Sequence, residues 1–402
     1  MKYRVIQWAT GGMGKNCLRA IIDHPAMELA GVYVYGKDKE GRDAGEIARR
    51  PPTGVRATRS REQILALDAD VVIHAARLAP PYGSHDADII PLLESGKNVI
   101  SINGYTNPAH WGGERLAALQ AACERGGTTL LAAGLNPGYI GEQLAVVATS
   151  VCTSLDHLEI VESADCRQVR NPVYVFDALG FGADPAAVDP NDPAFGPAAS
   201  LNGMYIEALS AIAAQLRIPL ERVVTEHRTW PATQDLQIGA GTIAKGRVSH
   251  YRWRWRGISG DQPRLTMTIH WYMETAHLDD PRPPLWRVHI DGQPGVRMAV
   301  DLEKRAGDAS QTSTEGRHTA VDGAKPSLGH AAAVPVQFSA MSQTSATTRQ
   351  VVVEGSKPSA GQSLLAPSHC SATSQTPAVA RQVKELDFLE STGHAVLAPS
   401  QF

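Results

Sequence analysis

Apolar and polar positions follow two different periods in the first third of the chain. Short apolar runs end at turns that contain glycine or proline, and between them apolar positions recur every three or four residues. The runs predict buried strands, and the longer patterns predict helices. Strands are predicted at 5–8, 27–35, 70–75, 98–101 and 128–132, and helices at 17–22, 62–67, 89–93 and 115–125. This alternation indicates an α/β fold with a doubly wound parallel sheet of the Rossmann class.

Five loops follow the predicted strands. In a doubly wound sheet, ligands bind beyond the carboxyl ends of the strands. We therefore expect the functional residues on the loops at 10–14, 36–42, 75–81, 102–106 and 134–139.

The first of these loops has the composition of a phosphate-binding turn. Strand, glycine turn and helix come in the order that a dinucleotide pyrophosphate requires, because glycines let the backbone approach the phosphates and the first helical amides face their charge. The full Gly-x-Gly-x-x-Gly pattern is absent, since Trp8 and Ala9 precede the turn. An ordinary tight strand-to-helix turn is the alternative. The residues predicted to bind the cofactor here are Thr10, Gly11, Gly12, Met13 and Gly14.

The second loop bears on the choice between NAD and NADP. Where an NAD-specific fold usually carries an acid for the ribose 2′-hydroxyl, this chain has Tyr35 and Gly36. The cations Lys37, Lys39 and Arg42 follow. They favour a 2′-phosphate and therefore NADP, with NAD as the alternative. Alternating acids in the same loop leave a second interpretation, a solvated charged loop.

His74 ends the third predicted strand of this region at the expected cofactor edge. We include it among the candidate cofactor-binding residues. A histidine that is packed and hydrogen-bonded in the core is the alternative.

Composition limits the classes of function. The chain has 402 residues with 43% hydrophobic and 20% charged residues, which is typical of a globular protein of two domains. The net charge of -3 gives no reason to expect nucleic acid or a membrane surface as a partner. The 5 cysteines form no C-x-x-C pair, so we expect neither a disulfide framework nor a metal site. A strand that starts near the N-terminus predicts a cytoplasmic protein without a signal peptide.

Three loops together resemble a known family. The segment 9–14, Ala-Thr-Gly-Gly-Met-Gly, is similar to the Ala-x-Gly-Arg-Met-Gly turn of dihydrodipicolinate reductases. The segment 102–106, Ile-Asn-Gly-Tyr-Thr, resembles their Thr-Thr-Gly-Phe/Tyr-Thr turn beside the nicotinamide, and 133–138 resembles their Ala-x-Asn-x-Ser-x-Gly loop. The Trp-Ala-Thr-Gly opening is similar to an actinobacterial branch related to 2,4-diaminopentanoate dehydrogenase and the native amine dehydrogenases. The resemblance implies that Asn103, Gly104 and Asn136 position the nicotinamide.

The resemblance also implies a second, α+β domain with an open mixed sheet that binds a small-molecule substrate and often pairs with a copy of itself. We predict a Rossmann domain at 1–140, a substrate and oligomerisation domain at 141–303, and a poorly ordered low-complexity tail at 304–402. The second domain has strand patterns at 158–162, 250–256, 265–273, 286–290 and 296–302 and a helix at 201–215. Strict alternation of aromatic residues and arginines at 251–256 predicts a half-buried strand rather than a nucleic-acid site.

The catalytic residues of the relatives are missing. The stretch 162–171 lacks the His-His-x-x-Lys of dihydrodipicolinate reductases, and the loop 103–107 lacks the acid that the amine dehydrogenases carry there. The candidates that remain for substrate binding or proton transfer are Tyr105, Tyr139, Asp165 and Arg167. We predict an NAD(P)H-dependent oxidoreductase for a small imine, carbonyl or activated C=C substrate, with a non-catalytic NAD(P)-binding sensor or decayed homologue as the alternative.

Overall fold

The computed structural model describes residues 2–302 and four two-residue strands in the tail. The chain divides into two compact units, and residues 1–302 belong to the first. In the second unit, β16 (Lys325–Pro326) pairs with β17 (Met341–Ser342), and β18 (Lys357–Pro358) pairs with β19 (Thr373–Ser374). The rest of the predicted low-complexity tail at 304–402 lies outside the described residues.

The first sheet has six parallel strands in the order β3-β2-β1-β4-β5-β6. This order is the one typical of a Rossmann fold, so the predicted fold class is confirmed. The strands are β1 (Tyr3–Trp8), β2 (Met27–Tyr33), β3 (Ala57–Thr58), β4 (Val71–His74), β5 (Asn98–Ser101) and β6 (Leu130–Ala132). The short strand β3 was not predicted, because a two-residue strand has no periodicity of its own.

Helices cover both faces of this sheet. Successive residues of a strand point to opposite sides, so each strand packs against helices on both faces. Val5 packs against α1 on one face, whereas Ile6 packs with Ile64 of α3 and Ile89 of α4 on the other. The helices are α1 (Gly12–Asp23), α2 (Ala44–Ala48), α3 (Arg61–Ala66), α4 (Asp86–Glu94) and α5 (Gly113–Gly126). Single 3₁₀ turns at Lys37–Lys39 and Pro108–Trp111 lie in the loops after β2 and β5.

A helical stretch at Leu135–Ala145 leads out of the first sheet. Its first turn is interrupted, because Asn136, Pro137 and Gly138 have non-helical dihedral angles. The chain continues into α6 (Val146–Ala148) and a 3₁₀ turn at Thr149–Val151. The loop predicted at 134–139 is therefore the distorted start of a helix, and residues further along that helix can reach back to it.

The second sheet is open and mixed, as the resemblance implies. Its order is β15-β14-β7-β13-β12-β8, with β9 also on β12, and β13 runs parallel to β7 while the other pairs are antiparallel. The strands are β7 (Ser154–Asp165), β8 (Arg222–Thr225), β9 (Arg228–Pro231), β12 (Val248–Ser259), β13 (Gln262–Tyr272), β14 (Trp286–Gln293) and β15 (Val296–Val300). A separate hairpin joins β10 (Leu236–Ile238) to β11 (Gly241–Ile243), and turns at Val173–Ala178 and Pro185–Ala187 precede the long helix α7 (Gly196–Leu216).

The aromatic residues of β12 form the core under α7. Tyr251, Trp253 and Trp255 are fully buried, while the alternating arginines stay half-exposed, as the sequence pattern predicts. Tyr205 of α7 stacks on Trp255 with ring centroids 4.5 Å apart. Burial of side chains of this size contributes roughly 2–3 kcal/mol each, so the face of β12 that α7 covers anchors the helix. Among the described helices, none is long and apolar enough to cross a membrane.

Candidate functional site

The turn after β1 has the shape of a phosphate cradle. A Cβ on Gly14 would overlap the carbonyl oxygen of Ala9, so only glycine lets α1 start this close to the strand. A Cβ on Gly11 or Gly12, by contrast, would meet nothing within 4 Å. Gly11 caps α1 without a side-chain hydrogen bond, and the first turn carries no acid. Open space above free helix amides fits the pyrophosphate of a dinucleotide.

Cations lie beside this turn. The Lys39 ammonium donates to the Thr10 carbonyl oxygen at 2.9 Å. Burial lowers the pKa of Lys15, and the neighbouring charge of Lys39 lowers it further. Burial and neighbouring cations both disfavour the charged ammonium, and an anion bound nearby would offset both effects.

The other predicted 2′-phosphate residues are placed differently. Arg42 is bound to Glu46 at 2.7 Å, and Lys37 is exposed on the 3₁₀ turn. A Cβ on Gly36 would overlap a carboxylate oxygen of Asp38, so an acid also lies at the end of this strand. Cations and acids therefore alternate on the loop that is predicted to discriminate between the two cofactors.

His74 is fully buried at the end of β4, and neither ring nitrogen has a hydrogen-bond partner among the residues of the described region. It lies beside Trp8, with ring centroids 6.2 Å apart, and burial lowers its pKa to about 3, which keeps it neutral. A nitrogen of His74, one of His85 and an oxygen of Asp88 lie within 4.8 Å of one another. The Asp88 carboxylate already accepts a hydrogen bond from Tyr35 at 2.7 Å and is paired with a neighbouring arginine, so its charge is compensated without a metal ion.

The loops after β5 and β6 lie side by side, because these two strands are neighbours in the sheet. Asn103 donates from Nδ2 to the Ala76 carbonyl oxygen at 2.7 Å, which ties its loop to the loop after β4. Asn136 donates from Nδ2 to Glu162 at 2.7 Å, and its backbone oxygen accepts from the Tyr205 hydroxyl at 3.0 Å. Both predicted nicotinamide asparagines are therefore held in place by the protein.

Gly104 adopts φ +90°, a backbone conformation that favours glycine. A Cβ at this position would also overlap the hydroxyl of Tyr82, which lies against the loop. The glycine of the Asn-Gly-Tyr turn is thus required on two independent grounds.

Buried polar atoms without partners occur on both of these loops and on the helix that follows the second loop. Thr106 Oγ1, Asn136 Oδ1 and Glu142 Oε1 are buried, and none has a hydrogen-bond partner within the described part of the chain; other such atoms lie elsewhere, on β12 for example. Buried polar atoms are nearly always paired in folded proteins, so these exceptions need an explanation. A bound polar ligand is the explanation that their position at the carboxyl edge favours.

Glu207 of α7 joins the second domain to the loops of the first. This fully buried carboxylate accepts from Tyr82 Oη at 2.8 Å, from Trp111 Nε1 at 2.9 Å and from the Asn107 amide at 3.1 Å. Arg115 lies 3.5 Å away and compensates its charge. These contacts hold the Glu207 side chain in one position between α7 and the loops of the first sheet.

Glu142 is a second buried carboxylate, and the sequence analysis missed it. Its Oε2 accepts from the Gly138 amide at 2.8 Å, and the residue is 4% exposed. Burial, with a smaller contribution from Glu207, raises the pKa of Glu142 to about 7, although the hydrogen bond from Gly138 acts in the opposite direction. Its signal in the sequence was an acid between Ile140 and Ala145, in a helix that carries no other charged residue.

The four predicted catalytic side chains are dispersed. Tyr105 is buried and donates to Asp86 at 2.7 Å, and burial together with that carboxylate raises the pKa of its hydroxyl. Tyr139 is 41% exposed on the loop after β6. Asp165 and Arg167 bind each other at the end of β7, with Nε of the arginine 2.9 Å from Oδ1. Of the four, only Tyr139 is an exposed side chain on a loop that is predicted to border the nicotinamide. The Tyr105 hydroxyl is bound to the start of α4, and Asp165 and Arg167 are bound to each other.

Comparison with known proteins identifies relatives of this chain. The family model described as dihydrodipicolinate reductase, N-terminus, matches residues 5–79. An amine dehydrogenase from Streptomyces virginiae is 27% identical over 355 residues, covering 83% of this chain and 96% of the relative. A 4-hydroxy-tetrahydrodipicolinate reductase from a Synechocystis species is 24% identical over 161 residues, which cover 39% of this chain and 56% of the relative.

One solved structure shares the fold over most of its length. The amine dehydrogenase from Mycobacterium smegmatis superposes with a TM-score of 0.61 at 16% identity, covering 75% of this chain and 86% of that chain. Together with the sequence relatives, these findings confirm the resemblance that the three loop motifs indicate.

Proposed function

Since the chain is an NAD(P)-dependent oxidoreductase similar to dihydrodipicolinate reductases and amine dehydrogenases, we propose that it transfers hydride between NADP(H) and a small substrate with a C=N, C=O or activated C=C bond. The observation that carries this proposal is the set of unpartnered polar atoms on the loops after β5 and β6. They lie along the same carboxyl edge as the glycine turn after β1, where one extended dinucleotide spans both.

Different residues of the chain are proposed to bind the pyrophosphate and the nicotinamide of the cofactor. The amides of Gly12 and its neighbours face the pyrophosphate, and Asn103 and Asn136, each fixed by a hydrogen bond, border the nicotinamide. When bound, the reduced nicotinamide supplies the hydride, and the protein supplies orientation and a proton. Asn136 Oδ1 and Thr106 Oγ1 are the acceptors with capacity left for ligand groups.

NADP is the proposed cofactor because cations flank the turn. The Lys39 ammonium donates to the Thr10 carbonyl oxygen. Burial lowers the pKa of the Lys15 ammonium, and the neighbouring cations lower it further. Asp38 opposes this preference, since a carboxylate at this strand end binds the ribose 2′-hydroxyl of NAD.

Ketones with ammonia, or the corresponding amines, are favoured as substrates over dihydrodipicolinate. The relative that matches 96% of its own length to this chain is named an amine dehydrogenase, and the stretch 162–171 has no His-His-x-x-Lys motif. A small ketone with ammonia, or the corresponding amine, is therefore the first substrate class to test.

The cofactor arm of the test titrates the full-length protein with NADPH and NADH while nicotinamide fluorescence is followed. Lys39→Ala is expected to weaken NADPH about tenfold or more and NADH little, because one charged hydrogen bond to phosphate is worth roughly 1.5–3 kcal/mol. Asp38→Asn is expected to weaken NADH instead. Arg50→Ala is the control at an arginine that is not among the predicted cofactor residues, since its guanidinium is bound to Asp23. Equal losses for both cofactors in Lys39→Ala would refute the 2′-phosphate assignment.

The substrate arm measures turnover with ketones plus ammonia, with cyclic imines, and with keto acids. Turnover with the ketone panel supports the proposed class. Binding of either cofactor without turnover on any substrate supports the alternative of a non-catalytic NAD(P)-binding sensor, and absence of binding contradicts both.

Two further predictions accompany this function. A homo-oligomer is implied by the resemblance, and light scattering of the purified full-length chain measures its mass directly. Cytoplasmic location is tested by fractionation of cells that express the tagged chain.

A further inference from the structure

Glu142 occupies an unusual position for a carboxylate. One oxygen, Oε2, caps the Gly138 amide at 2.8 Å. The other, Oε1, is buried and has no hydrogen-bond partner among the described residues. A side chain with one oxygen bound and one oxygen in reserve is held in a single orientation while it keeps the capacity for another partner.

The carboxylate lies directly behind the loop that borders the nicotinamide. Gly138 follows Asn136 in the interrupted first turn of the Leu135–Ala145 helix, and Glu142 is the residue one turn further along. Asn136 Oδ1 on the same loop and Thr106 Oγ1 on the adjoining loop are also buried without partners. Two of these atoms lie on the segment from Asn136 to Glu142 and the third lies on the adjoining loop, so a polar group of a bound ligand would find hydrogen-bonding capacity from both sides.

The charged groups around Glu142 set its protonation. Glu207 on α7 raises the pKa of Glu142 electrostatically, and Arg115 on α5 lies 3.5 Å from Glu207. Glu162 on β7 is bound to the Asn136 side chain. With burial as the larger cause, this environment raises the pKa of Glu142 to about 7. A carboxylic acid that is half protonated at neutral pH suits general acid–base catalysis.

We propose that Glu142 is the acid of the site and donates a proton from Oε1 to the nitrogen or oxygen of the substrate. This inference rests on the proposed function. In the reduction, the Glu142 O–H bond breaks and an N–H or O–H bond forms on the substrate, while the reduced nicotinamide gives the electron pair and hydrogen to carbon. The carboxylate that remains takes a proton from solvent before the next cycle, and the reverse reaction uses it as the base.

The proposal explains why the site has two buried glutamates with different surroundings. Glu207 accepts hydrogen bonds from Tyr82, Trp111 and the Asn107 amide, whereas Glu142 accepts from the Gly138 amide alone and has a second oxygen without a partner among the described residues. Glu207 is then a positioning residue that keeps the proton on Glu142.

The test compares Glu142→Gln with the wild type in the full-length protein. Glutamine matches the shape of the protonated acid, so the fold and the bond from Gly138 are retained, which thermal melting verifies. We expect kcat of reduction to fall 10²–10⁴-fold in Glu142→Gln, and NADPH affinity to change less than about threefold. In the wild type, kcat should fall as pH rises through about 7, and this limb should be absent in the variant. Glu46→Gln, at an exposed glutamate paired with Arg42, is the control that should keep the wild-type kcat and its pH dependence.

A second readout does not depend on turnover. Carbon-13 resonances of labelled glutamate carboxyls should include one that titrates near pH 7 and is missing in Glu142→Gln. Glu142→Asp shortens the side chain by one methylene group. It should keep a titrating carboxyl and have a kcat between those of Glu142→Gln and the wild type.

The outcomes separate the two proposals. Turnover with an unchanged pH profile in Glu142→Gln, or a Glu142 carboxyl that titrates with ordinary glutamates, overturns the inference and leaves the proposed function standing. A wild type that reduces none of the substrates overturns the proposed function, and the inference falls with it.

Discussion

Tyr82 and Glu207 are 125 residues apart in sequence, yet the tyrosine hydroxyl donates to the glutamate at 2.8 Å. Tyr82 comes from the loop after β4 in the cofactor domain, and Glu207 comes from the centre of α7 in the second domain. The bond therefore crosses from one sheet system to the other next to the predicted nicotinamide loops.

This bond should be measurable as a coupling energy. Tyr82→Phe removes one of several donors and is expected to cost about 1 kcal/mol in the free energy of unfolding, while Glu207→Ala leaves buried donors unpaired and should cost roughly 3–5 kcal/mol. A double-mutant cycle by urea denaturation is expected to give a coupling of about 0.5–3 kcal/mol. Glu46→Ala, at an exposed ion pair, should stay within about 0.5 kcal/mol. Strict additivity of the two substitutions would contradict the bond.

Substitutions of two glycines in the first turn should have different effects on stability and on cofactor binding. Gly14→Ala places a methyl group on the Ala9 carbonyl, so we expect a lower melting temperature together with loss of NADPH binding. Gly12→Ala meets no protein atom within 4 Å, so the melting temperature should be unchanged, while NADPH binding weakens because the methyl group enters the phosphate space. Thermal melts and fluorescence titrations of both variants separate the two effects. Unimpaired binding by Gly12→Ala would place the pyrophosphate elsewhere.

Gly104→Ala combines backbone strain with a collision. Its φ of +90° disfavours any L side chain, and the new Cβ would overlap the Tyr82 hydroxyl. We expect a loss of more than 2 kcal/mol in the free energy of unfolding, together with weaker cofactor binding. Gly127→Ala is a matched control, since its φ is +62° and a Cβ there meets nothing within 4 Å, so it should lose about 1 kcal/mol from strain alone. Tyr82→Phe, which removes the colliding oxygen, should restore part of the loss in the Gly104→Ala background.

Glu142 should make stability depend on pH. Its pKa is raised in the folded protein to about 7, above the ordinary value of about 4.3 in the unfolded chain. The folded state therefore binds more protons between these values, and the stability from this group, complete below pH 4, is lost as pH rises towards 7. Glu142→Gln removes this term, so its free energy of unfolding relative to the wild type should rise by about 3 kcal/mol between pH 4 and pH 8. Urea denaturation across that range measures the difference, and a constant difference would contradict the raised pKa.

The architecture could be predicted well from the sequence, because long alternating patterns dominate it. The aromatic and arginine alternation of 251–256 specifies which face of β12 is buried, and Asn98–Ser101 forms a strand with the predicted bounds. Short elements escaped prediction, among them β8 to β11, because three or four residues carry too little periodicity to be recognised.

The candidate site was harder to predict than the fold, since its chemistry depends on contacts between distant segments. Trp8 interrupts a glycine pattern in the sequence, but its ring lies inside the core on Tyr33, with centroids 3.9 Å apart. Glu142 and Glu207 lie in apolar helical segments, and only the folded chain shows that both are buried near the same loops. Tyr105 follows the Asn-Gly pair in the motif, yet its hydroxyl is occupied by Asp86.

Helix α7 has a consequence for engineering of this protein. Tyr205 donates to the Asn136 backbone and Glu207 accepts from the loop amide of Asn107, so a helix of the second domain contacts both loops that are predicted to border the nicotinamide. These supports lie 69 and 100 residues along the chain from the loop residues that they bind. A chimera that exchanges only the parallel-sheet domain between relatives will separate these loops from their supports. One that exchanges the domain together with α7 will keep them together.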